Sequence, residues 1–227
     1  MQVKFNCRLE DYQYILSFDL AKHKSGFALV DFVDKKIPYS GLIITDPQKE
    51  MVWDDFYADL KARLLFIKEN FGSSFFVLKE RLPNQAGPRS TIATLQGLAG
   101  AHAIFDFFLA ENNLDTYDWQ GVHSVSVKAY YKQATNLEKP QKTDIFNAIQ
   151  QIYPAWKVPE DNTLSYDISD SVAVVETLVN RKWNADIDER KRELKRELKK
   201  AKAQRKIDSL NAEIQRLEEL KLKEGGE

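Results

Sequence analysis

Tyr14-Ile-Leu-Ser-Phe-Asp19 is an apolar run of strand length that ends in an acid. The same arrangement recurs at residues 75–80, Phe-Phe-Val-Leu-Lys-Glu, where Glu80 closes the run. A buried carboxylate without a partner is costly, so acids that end core strands normally have a cation or a hydrogen-bond donor beside them. Asp19 and Glu80 are therefore candidate functional residues at the ends of neighbouring strands.

Two further acids, Asp167 and Asp170, precede the apolar stretch at residues 171–179. Their spacing predicts that both side chains lie on one face of a helix, near its N-terminus. Four converging carboxylates could hold two Mg²⁺ or Mn²⁺ ions about 4 Å apart, because these cations prefer oxygen ligands. Such a site suits in-line hydrolysis of a phosphodiester. The alternative is that the four acids are separate helix caps and salt bridges.

Hydrophobic periodicity predicts an α/β fold on a mixed five-stranded sheet flanked by helices. The strand segments are predicted at residues 13–20, 26–33, 37–45, 75–80 and 121–127. Helices are predicted at residues 51–70, 90–110 and 143–153, and from about Asp167 onward.

The chain of 227 residues, 43% of them hydrophobic, is long enough for one full domain and an appendage. We place the domain at residues 1–185 and a charged helical extension at residues 186–227. The extension is dense in Lys, Arg, Glu and Leu, and has no Pro or Gly before Gly225, which predicts one long helix. Its a/d pattern at Ile207, Leu210, Ile214 and Leu217 is typical of a short dimerising coiled coil, and a solvated helix that packs back on its own domain is the alternative.

Composition also excludes several classes of protein. The uninterrupted apolar runs are shorter than a membrane span requires, so we expect no membrane partner. Cys7 is the only cysteine, which leaves no disulfide framework or thiolate zinc site and favours a reducing, cytoplasmic compartment. Neither a phosphate-binding glycine loop nor a dinucleotide fingerprint is present, so we expect no small-molecule cofactor.

The segment Asp19-Leu-Ala-Lys-His-Lys-Ser-Gly-Phe-Ala28 resembles the first-strand motif of RuvC-type Holliday junction resolvases. Glu80 matches the second acidic position of that family, and Asp167-Ile-Ser-Asp-Ser-Val-Ala-Val-Val matches its Asp-x-x-Asp helix. The order and spacing agree across roughly residues 13–180. The resemblance implies a ribonuclease H-like fold, a homodimer, and Mg²⁺-dependent paired nicking of four-way DNA junctions.

The resemblance also carries over individual roles. Asp19, Glu80, Asp167 and Asp170 would be the catalytic, metal-binding acids, and Mn²⁺ would substitute for the two Mg²⁺ ions. Two catalytic lysines are implied as well, Lys128 after the strand at 121–127 and Lys142 before a helix. Basic side chains near the site are predicted to bind branched DNA: Lys22, Lys24, Arg81, Arg89 and Lys132.

The extension beyond residue 185 has no counterpart in the compact bacterial enzymes of this family, which suggests a divergent, bacteriophage-type member acting in the cytoplasm of a bacterial or phage-infected cell. Other functions remain open from the sequence. The chain could be a nuclease with broader specificity for flaps and branched DNA, another ribonuclease H-like nuclease, or a non-catalytic junction-binding scaffold that acts through its charged tail.

Overall fold

A computed structural model describes residues 11–46, 52–82, 91–116, 121–157, 162–200 and 204–224. The strands are β1 (Tyr14–Asp19), β2 (Lys24–Asp31), β3 (Lys36–Ile44) and β4 (Phe75–Lys79). The helices are α1 (Val52–Phe71), α2 (Ile92–Glu111), α3 (Ser124–Ala134), α4 (Lys142–Ile152), α5 (Asn162–Lys200) and α6 (Gln204–Glu224). The α/β class predicted from the sequence is confirmed.

The strands form one mixed sheet in the order β3-β2-β1-β4. The first three strands run antiparallel, and β4 pairs parallel with β1, with Phe18 opposite Lys79. A parallel neighbour requires a crossover connection, which α1 and the chain around it supply. β1 is thus an inner strand of the sheet.

Alternation along β1 separates two faces of the sheet. Leu16 and Phe18 point into a hydrophobic core that α1 and α2 cover with residues such as Leu60 and Phe105. Ser17 points to the opposite face, where its hydroxyl donates a 2.6 Å hydrogen bond to the Ser171 carbonyl of α5. Because side chains alternate with a period of two, Asp19 lies on the same face as Ser17, toward α5.

Helix α2 is long and apolar enough, by length and composition alone, to cross a membrane. Gln96, His102 and Asp106 interrupt the apolar sequence of this helix, so the observation that uninterrupted apolar runs are short still holds. In this fold α2 contributes Ala101, Phe105 and Phe108 to the core, and Asp106 pairs with the buried Lys79 of β4. These contacts place one face of α2 against the sheet, whereas Ile92 and Phe107 are exposed.

The described residues give four strands, and the fifth predicted strand is not confirmed. Thr116 and Val122 make isolated parallel bridges to Val77 and Glu80, on the free side of β4. The residues that join them, 117–120, lie outside the described part of the chain. The strand predicted at 121–127 is wrong beyond Val122, because α3 begins at Ser124.

The chain divides into two compact units, residues 1–177 and 178–227, and the division falls within α5. In the second unit, Lys191 of α5 forms a 3.2 Å salt bridge with Glu218 of α6. On one continuous helix these residues would lie about 40 Å apart, so α6 runs back along the end of α5. The prediction of a single long helix after residue 186 is therefore wrong. Leu210 is buried within the chain, and a coiled-coil extension is not confirmed.

Candidate active site

Asp19 and Glu80 lie side by side at the ends of parallel strands. Phe18 pairs with Lys79, and the Glu80 amide donates a 3.1 Å hydrogen bond to the Phe18 carbonyl, which continues the register to the two acids. Both acids are partly buried. Ser124, the first residue of α3, donates a hydrogen bond to the Glu80 carboxylate.

Helix α5 brings Asp167 and Asp170 to the same place. A glycine in β2 permits this approach: a Cβ atom on Gly26 would collide with the Asp167 carbonyl. Gly26 is also the residue that pairs with Asp19 across the β1–β2 ladder. The motif at residues 19–28 therefore supplies the acid Asp19, and its Gly26 leaves space for α5, the helix that carries Asp167 and Asp170. Asp167 is the sixth of the 39 residues of α5, so the helix begins five residues before the predicted start, and the acids lie near its N-terminus as predicted.

Lysines surround the four acids. Lys142, the first residue of α4, has its Nζ 2.6 Å from Asp170 Oδ2 and 3.5 Å from Asp167 Oδ1. Lys24 of β2 places its Nζ 3.2 Å from Asp167 Oδ2. Lys128 attracts the Glu80 carboxylate from α3. Lys128 is thus placed by a helix, where the sequence predicted the end of a strand.

The electrostatics of the acids show an excess of negative charge. Burial raises the pKa of Asp19 well above its ordinary value, and the charges of Glu80 and Asp170 raise it further. Burial and then the Asp170 charge raise the pKa of Glu80. The pKa of Asp170 is also raised, by burial, although the hydrogen bond from Lys142 opposes that shift. Such shifts are common among carboxylates that act on a substrate or cation.

These acids form an all-oxygen donor set, which is the kind that Mg²⁺ and Mn²⁺ prefer. Among the residues that the structure describes, no three Asp, Glu, His or Cys side chains are already arranged as a metal cage. The Lys142 ammonium between Asp167 and Asp170 offers a physical reason, since it takes the oxygens that a cation would use. Burial is the first cause of the raised pKa of Asp19, Glu80 and Asp170, and neighbouring acids add to it, so a further cation beside these carboxylates would stabilise their ionised forms. The residues present therefore fit a divalent cation.

The other predicted DNA-binding residues are less concentrated. The side chain of Lys22 packs against Gly97 of α2, and Arg81 follows Glu80 and contacts His123 Nε2 at 2.7 Å. Lys132 is exposed in the last turn of α3. Arg89 lies outside the described residues.

Sequence reasoning missed a second acidic group on α5. Glu176 is buried, accepts a hydrogen bond from the Tyr153 hydroxyl at the end of α4, and pairs with Lys35 Nζ at 3.3 Å. Its charge, after burial, raises the pKa of Tyr131 on α3. Glu176 thus connects α5 with the end of α4 and with Lys35, which lies between β2 and β3. A charged residue inside the apolar run 171–179 was the available signal, because such a residue requires a buried partner.

Comparison with known proteins gives a fold but no sequence family. No protein-family model and no curated protein matches the sequence. Among solved structures, RuvC of T. thermophilus in complex with a Holliday junction substrate is similar with a TM-score of 0.54 and 15% identity, over 73% of this chain and 92% of that one. A second T. thermophilus RuvC structure is similar with a TM-score of 0.48 and 15% identity, over 72% and 92% of the two chains. The chain therefore has a RuvC-like fold.

Proposed function

We propose that this protein is a structure-selective DNA endonuclease that resolves four-way junctions by metal-assisted phosphodiester hydrolysis. The observation that carries the proposal is the convergence of Asp19, Glu80 and Asp170, with Asp167, on one face of a RuvC-like sheet. The similar RuvC structure was solved with a Holliday junction, which is the reason to test that substrate first.

The four carboxylates are the residues that would hold two Mg²⁺ ions, and Mn²⁺ is expected to substitute. When bound, the ions supply a water nucleophile at neutral pH and stabilise charge on the attacking and leaving oxygens. The carboxylates reach this site from three different elements: the end of β1, the end of β4 and one face of α5. Their fixed positions orient the reacting groups before DNA arrives, which is the main contribution a protein makes in such chemistry.

The lysines complete the site in this proposal. Lys142 and Lys128 stand next to the acids and would contact the scissile phosphate or the charge that develops on it. Lys22, Lys24 and Arg81 extend positive charge around the edge of the sheet. Such contacts make affinity for DNA fall as salt rises, while recognition of the branch comes from the shape of the DNA.

Two copies of the chain would be needed to nick opposite strands at symmetric positions. We therefore propose a homodimer. Whether residues 178–227, with their paired helices, contribute to it is a separate part of the proposal, which a truncation after residue 177 would test by sedimentation.

The experiment is a cleavage panel with purified protein in Mg²⁺: a labelled four-way junction, a flap, a linear DNA duplex and an RNA–DNA hybrid. A resolvase nicks the junction at symmetric positions and gives products that a ligase can seal. Equal cutting of flap and junction would indicate a broader branch nuclease, and preference for the hybrid would indicate another ribonuclease H-like enzyme. Tight junction binding without cleavage in Mg²⁺ or Mn²⁺ would make the protein a scaffold and contradict the proposal.

A further inference from the structure

The ammonium group of Lys142 lies inside the group of acids. Its Nζ is 2.6 Å from Asp170 Oδ2 and 3.5 Å from Asp167 Oδ1, so one cation contacts both acids of α5. Lys24 Nζ lies 3.2 Å from the other oxygen of Asp167. The two carboxylates on α5 are therefore already paired with positive charge in the protein alone.

Neither the helix that carries Lys142 nor burial of its side chain explains where the ammonium lies. Lys142 is the first residue of α4, after the N-cap Gln141, whose capping box with Asp144 fixes the start of the helix. The N-terminus of a helix carries partial positive charge and disfavours a cation there. The side chain of Lys142 is 58% exposed, so burial does not hold it in place either. The attraction of Asp167 and Asp170 is what keeps the ammonium at this point.

An ammonium held mainly by carboxylates can be replaced by a cation of higher charge. A divalent ion gains more Coulomb energy from the same oxygens than a lysine does at similar distances. The displaced side chain need not unfold anything, because it is on the surface and attached by a flexible stem. This exchange would also release a positive charge beside the site at the moment when a DNA phosphate needs one.

We propose that Lys142 occupies the place of a divalent cation on Asp167 and Asp170 in the metal-free protein, and that the cation must displace it to bind. The inference rests on the proposed function and adds to it a step that couples metal binding to phosphate binding. Since a DNA phosphate that takes up the Lys142 ammonium removes the competitor, DNA and metal should each raise the affinity for the other.

The test measures Mn²⁺ binding to the metal-free, full-length protein without DNA, by the electron paramagnetic resonance signal of free Mn²⁺. Lys142→Met removes the competing charge and is expected to tighten Mn²⁺ binding about tenfold, the factor that corresponds to about 1.4 kcal/mol. Lys142→Arg keeps the charge and should bind Mn²⁺ much as the wild type does. Lys24→Met, which frees only one oxygen of Asp167, should have a smaller effect in the same direction.

The matched control is Lys139→Met, which removes an exposed lysine three residues earlier and should leave Mn²⁺ affinity unchanged. Unchanged or weaker Mn²⁺ binding by Lys142→Met, with normal binding by the wild type, would overturn the inference and leave the proposed metal site intact. If neither the wild type nor any variant binds Mn²⁺, the inference and the metal site of the proposed function both fail.

Discussion

Asp170 and Glu176 lie six residues apart on the same helix, yet their surroundings differ completely. Glu176 is closed off from solvent, with a tyrosine hydroxyl and a lysine ammonium on its carboxylate. Asp170 is more accessible and shares its lysine with Asp167, while Asp19 and Glu80 add further negative charge. The negative charge of Glu176 is balanced by its hydrogen-bond donor and its lysine. Asp170 belongs to a group of four acids that outnumber the lysines in contact with them.

This difference is the basis for proposing that Glu176 has a structural role and Asp170 a functional one. A buried acid whose oxygens are satisfied fixes the positions of the elements that satisfy it, here α4, α5 and the β2–β3 turn that carries Lys35. Acids that raise one another's pKa reduce the stability of the free protein, and proteins keep such groups mainly where a ligand or substrate uses them. Two acids on one helix, one buried and one partly buried, can thus have opposite effects on stability.

The largest expected effect is a difference in the rate of junction cleavage between variants of Asp170 and of Glu176. Asp170→Asn keeps the shape of the side chain but removes a proposed metal ligand, so we expect junction cleavage to fall about a thousandfold, since metal ions contribute several kcal/mol to such reactions. Glu176→Gln keeps an acceptor for Tyr153 and should retain cleavage within about tenfold of the wild type. Single-turnover rates on a labelled junction measure both. Similar losses in the two variants would mean that the comparison is wrong.

A smaller effect concerns the approach of α5 to the sheet. Gly26→Ala would place a methyl group against the Asp167 carbonyl, and a backbone atom cannot move aside cheaply. We expect the free energy of unfolding to fall by about 3 kcal/mol, at the upper end of typical overpacking costs. Urea denaturation measures it. Gly97→Ala is the matched control, because the nearest atoms to its methyl group belong to the Lys22 side chain, which shifts more readily than backbone, so it should cost less stability than Gly26→Ala.

Glu176 should matter for stability rather than for the cation site. Glu176→Ala leaves the Tyr153 hydroxyl without its acceptor and Lys35 without its partner, which we expect to cost about 2 kcal/mol, because the tyrosine is buried whereas the lysine is partly exposed. Urea denaturation at neutral pH gives this value. A variant as stable as the wild type would show that the Glu176 contacts do not hold α4 to α5.

The smallest effect is a dependence of stability on pH. Because the folded-state pKa of Asp19 is raised, its ionisation costs more free energy in the folded protein than in the unfolded chain. The contribution of Asp19 to stability should therefore be lost as pH rises from the ordinary carboxyl range through the folded pKa. Asp19→Asn should be more stable than the metal-free wild type at neutral pH, and this advantage should disappear in acid.

His102 also makes stability depend on pH, so the prediction is tested by the difference in free energy of unfolding between Asp19→Asn and the wild type. Burial, and then the charge of Lys79, lowers the pKa of His102 to about 4, so its contribution to stability decreases as pH falls from about 6.5 toward 4. That trend runs opposite to the effect of Asp19. Both proteins contain His102, so subtracting their free energies of unfolding at each pH removes it. A difference that does not change between pH 4 and 8 would contradict the raised pKa of Asp19.

The sequence predicted the positions of Asp19 and Glu80, because these acids lie at the ends of strands. Asp19 and Glu80 follow apolar runs of strand length, and parallel neighbours bring such ends to one edge. It could not predict α3, since the valines of 122–127 and their alternation with polar residues favour a strand, whereas packing of the buried Tyr131 favours a helix.

Other features depend on contacts between distant residues. The collision that excludes a side chain at Gly26 exists only when α5 lies on β2, and the Glu176 contacts join residues up to 141 positions apart. The fold back of α6 along α5 is another example, because the stripe at 207–217 fits a partner within the chain as well as one in a second copy. The pattern of apolar residues along a helix does not determine which other element its apolar face packs against.

The most direct test of the central claim is the change in thermal unfolding on addition of Mn²⁺, measured by circular dichroism for the wild type, Asp19→Asn and Glu176→Gln. A cation that binds only the folded protein raises its midpoint temperature. If the group around Asp19 is a cation site and Glu176 is structural, Mn²⁺ raises the midpoint of the wild type and of Glu176→Gln, and has little effect on Asp19→Asn. An equal rise in all three proteins, or none in the wild type, would contradict the claim.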